Sequence, residues 1–300
     1  MPPINPDALS SFTNSAAYDS HRPTYPPASI QHLLTQCRVA GKRGARVVDL
    51  AAGTGKFTEA LAAREEEFEI LAVEPHADMR AVLEAKGLRG VRVVDGTAEE
   101  MGVEEGWADA VFVAQAFHWF ATPPTLRSLH TALQPHGTLG LIWNIESYNA
   151  PRSTTPSTSW EAKLQAHTLA FPDASPRFRH EQWRRVFEDQ VSRSPLNYVI
   201  ASAEEPLFSM PLGEDVRGWE VPLAREGVWS RWRTLGQVAV LEGGELEKTR
   251  KMFDDAVNAD GVEENDKGEL TLHGATYAFW TTKIPAEGKD DVLAVERPGA

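Results

Sequence analysis

The stretch Val47-Val48-Asp49-Leu50-Ala51-Ala52-Gly53-Thr54-Gly55-Lys56-Phe57 leaves a chain few ways to fold. An apolar strand breaks into a glycine turn and restarts as a helix, which is the first βα unit of an open α/β sheet. Such sheets bind ligands at the carboxyl ends of their strands, so the turn marks a site. Gly53 and Gly55 let the backbone approach a bound molecule closely. A second strand, Ile70-Leu71-Ala72-Val73, ends in Glu74. A carboxylate at that point accepts hydrogen bonds from a ribose diol, so the two strands together read as a nucleoside site.

The glycine spacing narrows the choice of nucleoside. A dinucleotide fingerprint needs G-x-G-x-x-G or a final alanine, and here the third small position is Thr58. A phosphate loop needs G-x-x-x-x-G-K-[ST]; counting back from Gly55-Lys56 puts Leu50 at the first glycine and Phe57 at the hydroxyl. Both phosphate motifs fail. Asp49 at the strand end argues for an amine-bearing or cationic ligand over a pyrophosphate.

At these residues the chain resembles the class I S-adenosylmethionine-dependent methyltransferases. The run to Gly55 matches their first motif and Glu74 their second. Val93-Val94-Asp95-Gly96-Thr97-Ala98-Glu99-Glu100-Met101 matches the third, and Ala108 to Phe120 the fourth strand with its loop. The four motifs stand in family order and spacing, and the likeness is strongest over residues 18–145. It implies S-adenosylmethionine as cofactor and S-adenosylhomocysteine as product. Asp49, Ala51, Gly53, Thr54 and Gly55 would line its methionine part, with N–H groups at Lys56 open to its carboxylate. Glu74 and Pro75 would hold the ribose, and Met79 would pack on the adenine or in the core. Asp95, Gly96, Thr97 and Ala98 would meet the adenine edge, although Asp95 also suits a helix N-cap. Gln115 and Ala116 would face the transferred methyl.

Tyr18-Asp19-Ser20-His21-Arg22-Pro23-Thr24-Tyr25-Pro26 resembles the Y-x-x-x-R-P-x-Y-P element of a small-molecule subgroup that includes the trans-aconitate enzymes. That likeness implies a lid. Tyr18 and Arg22 would close over the cofactor and Tyr25 over the substrate, with the Arg22 fork matched to a carboxylate. His118, within Phe117-His118-Trp119-Phe120, is the one evident candidate for a catalytic base, or else a hydrogen-bonded packing residue. Trp119, Trp143, Asn144 and Trp229 are candidates for the substrate pocket. No His, Cys or carboxylate stands at ligand spacing from His118, so no metal is expected.

Strands at 46–50, 69–73, 91–94, 109–114 and 138–143 alternate with helices near 56–65, 76–86 and 122–134. The expected fold is α/β: a doubly wound, mostly parallel seven-stranded sheet, Rossmann-like, with an antiparallel last strand and a helical cap. Residues 149–159 are rich in Pro, Ser and Thr and read as loop, and 160–171 as helix. Residues 195–208 read as a strand with a turn, and 214–241, with Trp219, Trp229 and Trp232, as helix-like. Residues 246–259 read as helix, 260–269 as an acidic turn and 270–282 as a hairpin or long edge strand. The expected organisation is a lid segment (1–35), a cofactor core (36–145), a cap with an intervening strand (146–245), a return to the core (246–284) and a tail (285–300).

The formal charge of −13 disfavours nucleic acid and anionic membranes as partners. No secretory signal or membrane span is legible, and the single Cys37 excludes an intrachain disulfide framework. A cytoplasmic protein, monomeric or homodimeric, is the expectation. Its leading activity would be methyl transfer to a small molecule, first the carboxylate of a small organic acid. The alternatives are a hydroxyl or carbon of a secondary metabolite, a nicotinamide dehydrogenase, and a cofactor-binding protein without catalysis.

Overall fold

The computed structural model describes residues 24–172, 175–191 and 206–285. Helix α1 (Pro27–Gln36) leads into β1 (Arg46–Leu50), α2 (Lys56–Ala62), β2 (Glu69–Val73), α3 (Ala77–Ala85), β3 (Val91–Val94) and β4 (Ala108–Ala114). Then come α4 (Pro123–Ala132), β5 (Leu133–Glu146), α5 (Ser159–Ala170), α6 (Arg185–Val191) and β6 (Gly213–Leu223). The order closes with α7 (Arg225–Trp232), α8 (Gly236–Ala239), α9 (Gly243–Val257) and β7 (Leu270–Thr282). The seven strands form one sheet in the order β3-β2-β1-β4-β5-β7-β6. The first five run parallel, and β7 runs antiparallel to both β5 and β6.

Alternate residues of each strand feed opposite faces. Val47, Ala110, Phe112 and Ile142 pack with Leu33 and Leu34 of α1 and with Phe57 and Leu61 of α2. Val48, Val111, Val113, Leu141 and Trp143 pack on the other face with Leu126, Leu129, Phe178, Trp183 and Phe279. Cys37 is buried in the first of these clusters, and burial pushes its thiol up to about 12, which leaves it an inert packing residue.

Three elements differ from the sequence reading. Residues 213–223 form a strand, not a helix-like cap piece. Its burial alternates along its whole length, and it sits at the sheet edge, where Pro222 forfeits no ladder bond. The edge position also explains its polar composition, which hid the strand. Residues 270–282 form one unbroken strand, but an interior one, paired on both sides. Finally, β5 begins at Leu133. Pro135-His136-Gly137 is a bulge within it, between the pairs Ala108–Leu133 and Ala110–Thr138. The strand expected at 195–208 lies mostly outside the described residues. Of its end, Phe208 forms an isolated bridge to Lys283.

The strands also differ in reach. β4 stops at Ala114, opposite Ile142, whereas β5 continues to Glu146. At roughly 3.3 Å per residue this is about 13 Å of extra strand. β7 and β6 accompany it, pairing on to Leu270 and Leu223. Trp160 and Leu164 of α5, Trp229 and Trp232 of α7 and Phe253 of α9 cover this projecting corner together with Leu270 and Leu272.

Candidate functional site

The first site lies at the tips of β1, β2, β3 and β4. Ala51 leaves β1 at φ 58°, and Gly53 and Gly55 come next at φ 58° and 89°. Gly55 is required twice over. Its conformation disfavours a side chain, and a Cβ there would sit 2.2 Å from Leu83 Cδ1 of α3. The turn is pinned across to β2: the Gly53 N–H donates to Glu74 Oε2 at 2.8 Å, and the His76 N–H donates to Oε1 at 2.9 Å. Each oxygen retains a second lone pair for a ligand hydroxyl. Burial raises the Glu74 carboxyl above its ordinary range, and the two backbone N–H bonds oppose that shift.

Asp49 is fully buried. Thr58 Oγ1 donates to its Oδ2 at 2.6 Å, and Oδ1 has no partner. Burial lifts its pKa to about 7; the Thr58 bond opposes the shift and the Glu74 charge adds to it. A buried acceptor without a donor is costly to leave unmade. An amino group placed there would supply both a donor and a positive charge.

Met79 is buried in α3, with its sulfur 3.8 Å from where a Cβ on Gly53 would stand, so it backs the turn. Pro75 lies between Glu74 and His76 and is half-buried. Thr54 is buried within the turn. Asp95 lies just beyond β3 with its side chain 55% exposed, and it pairs with Arg80 at 3.1 Å. Arg80 also donates to the Glu74 carbonyl, tying the ends of β2 and β3 together. Asp95 caps no helix: the capping hydroxyl is Thr97 Oγ1, which accepts from the Glu100 N–H in a non-helical turn. Gly96 is buried and lacks space for a side chain, because a Cβ would lie 2.8 Å from Val73 Cγ1, and Ala98 is buried beside it.

Gln115 follows β4 at φ 63°, a second departure from ordinary backbone at a strand tip, and its Nε2 donates to the Asn144 carbonyl at 2.8 Å. Ala116 is half-buried and opens the turn Phe117–Trp119. Within that turn Trp143 Nε1 donates to His118 Nδ1 at 3.1 Å. An indole nitrogen only donates, so Nδ1 is the acceptor and the neutral ring carries its proton on Nε2. His118 therefore presents a donor at Nε2, which does not suit the role of a base.

Several residues expected at the substrate serve packing instead. Trp143 is wholly buried against Phe178 and Trp183. Trp229 packs with Trp232 and Phe253 under the projecting corner. Both amide atoms of Asn144 are used: Nδ2 donates to the Thr24 carbonyl at 3.1 Å, and Oδ1 accepts from Thr276 Oγ1 at 2.6 Å. Tyr25 is buried edge-on against Phe57, at the start of α2 just after the glycine turn. Trp119 is half-buried under the Arg177 guanidinium. Tyr18 and Arg22 lie outside the described residues. Among the described residues no cluster of three or more His, Cys, Asp or Glu is arranged to hold a metal, and no helix is long and apolar enough to cross a membrane.

Residues 48–141 match the family model described as a methyltransferase domain. That stretch of the chain is similar to methyltransferase domains. An uncharacterized methyltransferase of Mycobacterium tuberculosis is 41% identical to the chain over 137 residues, covering 46% of this chain and 53% of the relative. A methyltransferase-like protein of Schizosaccharomyces pombe is 30% identical over 175 residues, covering 58% and 64%. The matched part thus spans roughly half to two-thirds of the length of these relatives. A solved structure from Anaeromyxobacter dehalogenans, provisionally assigned as a type II methyltransferase, superposes with a TM-score of 0.55 at 18% identity. It covers 88% of this chain and 97% of that one, and it supports the fold well beyond residues 48–141.

Sequence reasoning missed a second polar cluster, on the projecting corner. Glu146 ends β5, and Arg231 Nε of α7 donates to its Oε1 at 2.9 Å; the two side chains are 2% and 7% exposed. The Arg231 guanidinium lies 5.4 Å from the Trp219 ring, which in turn lies flat on Gly274; a Cβ there would be 2.2 Å from the ring. On the opposite face, wholly buried Glu161 accepts from Thr158 Oγ1 and the Thr158 N–H, and from the His273 N–H at 2.7 Å. His273 Nδ1 lies 3.2 Å from the same carboxylate. The sole local signal was Thr158-Ser159-Trp160-Glu161, a capping box; none of the tertiary partners is legible nearby.

Proposed function

We propose that the protein transfers a methyl group from S-adenosylmethionine to a small molecule, with the carboxylate of a small organic acid as the leading acceptor. The observation that carries the cofactor part is Glu74, fixed at the tip of β2 by the Gly53 and His76 N–H groups with lone pairs left over for a ribose diol. Asp49 Oδ1, buried without a donor, would take the amino group. Bound S-adenosylmethionine supplies a methyl group on a sulfonium, already activated toward an in-line nucleophile. The chain's task is then to position the acceptor and keep out water.

A carboxylate acceptor is ionised at neutral pH and requires no base, which agrees with a donor at His118 Nε2. The preference for an acid rests on the likeness around Arg22 to the trans-aconitate subgroup. We assign 36–145 and 246–284 to the cofactor core and 146–245, apart from the sheet strand 213–223, to substrate recognition.

Titration calorimetry with S-adenosylhomocysteine tests the cofactor part, and incubation with labelled S-adenosylmethionine and a panel of small acids tests the acceptor. The expected result is saturable binding that weakens at least tenfold in Glu74→Gln, no heat with NAD, and label in an acid ester. Binding of NAD alone would overturn the reading. Glu74→Gln is preferred to Glu74→Ala, which would strand two backbone N–H groups.

A further inference from the structure

The projecting corner holds a cavity of about 360 Å³ whose lining includes Ile145, Ser147, Thr154, Glu220, His273 and Tyr277. Its size falls in the range of about 300–1,000 Å³ typical of small-molecule sites. Hydroxyl groups, an imidazole, a carboxylate and an aromatic ring meet there, and among the described residues none that lines it is Lys or Arg. That mixture accepts and donates hydrogen bonds but offers no fixed cation to an anion.

His273 is the built part. Glu161 is buried, and both its oxygens already accept, so the imidazole nitrogen facing it carries the proton. The other ring nitrogen, Nε2, has its nearest carboxylate oxygen, on exposed Glu220, 3.9 Å away, which leaves it for a ligand hydroxyl. Thr154 and Tyr277 are bonded to each other through their side chains.

The position ties this cavity to the first site. Ile145 and Ser147 come directly after Asn144 along and beyond β5, and the Asn144 carbonyl receives the Gln115 side chain from the tip of β4. From Asn144 to Ser147 is roughly 10 Å of chain. We infer that the cavity holds the uncharged, polyhydroxylated end of the methyl acceptor, selected by His273, while the group to be methylated lies toward Gln115. The inference rests on the methyl-transfer reading and deepens it: the acceptor is an acid with a sugar-like tail, not a short aliphatic acid.

Gluconate and hexanoate, six-carbon acids with and without hydroxyls, are the probes. On the full chain saturated with S-adenosylhomocysteine, gluconate is expected to bind at least tenfold more tightly than hexanoate. In His273→Ala that preference falls to within twofold, while affinity for S-adenosylhomocysteine is unchanged. Ser147→Ala, a milder change, is expected to reduce the preference about threefold. Equal binding of the two acids, or an undiminished preference in both variants, would overturn the inference. Should S-adenosylhomocysteine itself fail to bind, the methyl-transfer reading falls, and the same titrations without it still report on the cavity.

Discussion

The two ends of the sheet solve the problem of burying polar groups differently. At the tips of β1 and β2, Asp49 and Glu74 are buried with spare acceptor capacity and are answered mainly by backbone N–H groups and one hydroxyl. At the projecting corner, Glu146 Oε1 is answered by the Arg231 side chain, and Glu161 by the hydroxyl and N–H of Thr158 and by the N–H and ring of His273. The first arrangement leaves a demand that a ligand would meet. The second sets a cation against Glu146, although Glu146 Oε2 and Arg231 Nη2 keep no hydrogen-bond partner, and it answers both oxygens of Glu161. The contrast lies in charge: Asp49 and Glu74 accept from neutral donors, whereas Glu146 lies against a guanidinium.

The largest effect that would break this comparison is Glu146→Ala. It leaves Arg231 buried without its counter-ion, and about 3–5 kcal/mol of stability should be lost in urea denaturation. A loss below about 1 kcal/mol would mean that the pair is dispensable. Next comes Gly55→Ala at the other end. A side chain at φ 89° that collides with Leu83 should cost about 1–3 kcal/mol and weaken S-adenosylhomocysteine binding with it. Unchanged melting would show that the turn tolerates a Cβ.

Asp49 sharpens the contrast through pH. With its pKa near 7, the free protein must release a proton before pairing with the cofactor's amino group. Affinity should rise about tenfold from pH 6 to pH 8, with proton release detectable by calorimetry in buffers of different ionisation enthalpy. The sign for stability is opposite. The folded state holds this proton up to about 7 and the unfolded chain only to 3.8, so Asp49's contribution is full below 3.8 and is lost as pH rises to 7. In Asp49→Asn both trends should vanish. The smallest expected effect is Thr158→Ala, which removes the cap of α5: about 1 kcal/mol of stability, with affinity for S-adenosylhomocysteine unchanged.

Much of the fold was legible. The five parallel strands fall within a few residues of their expected places, because buried parallel strands are continuous apolar runs bounded by turns. The misread strand, 213–223, is the edge strand with one solvent-facing side, where polar residues and a proline carry no penalty and the apolar signal is lost. Among site residues, Gly53, Gly55 and Glu74 could be read from their spacing, since a strand, a tight turn and the next strand are local. Trp143, Asn144 and Trp229 were read as pocket side chains, because an aromatic or amide side chain looks alike in sequence whether it faces a ligand or the core.

What the sequence alone determined is the βαβ unit at residues 46–74 and the glycine turn inside it, since periodicity and glycine placement act over a few residues. Only the tertiary structure decided that His118 is a hydrogen-bond donor, that Glu146 meets Arg231 and that Glu161 orients His273. Those partners are separated by 25, 85 and 112 residues along the chain. Side-chain protonation and pairing depend on what burial brings within about 3 Å, and that is a property of the packed sheet, not of any segment of it.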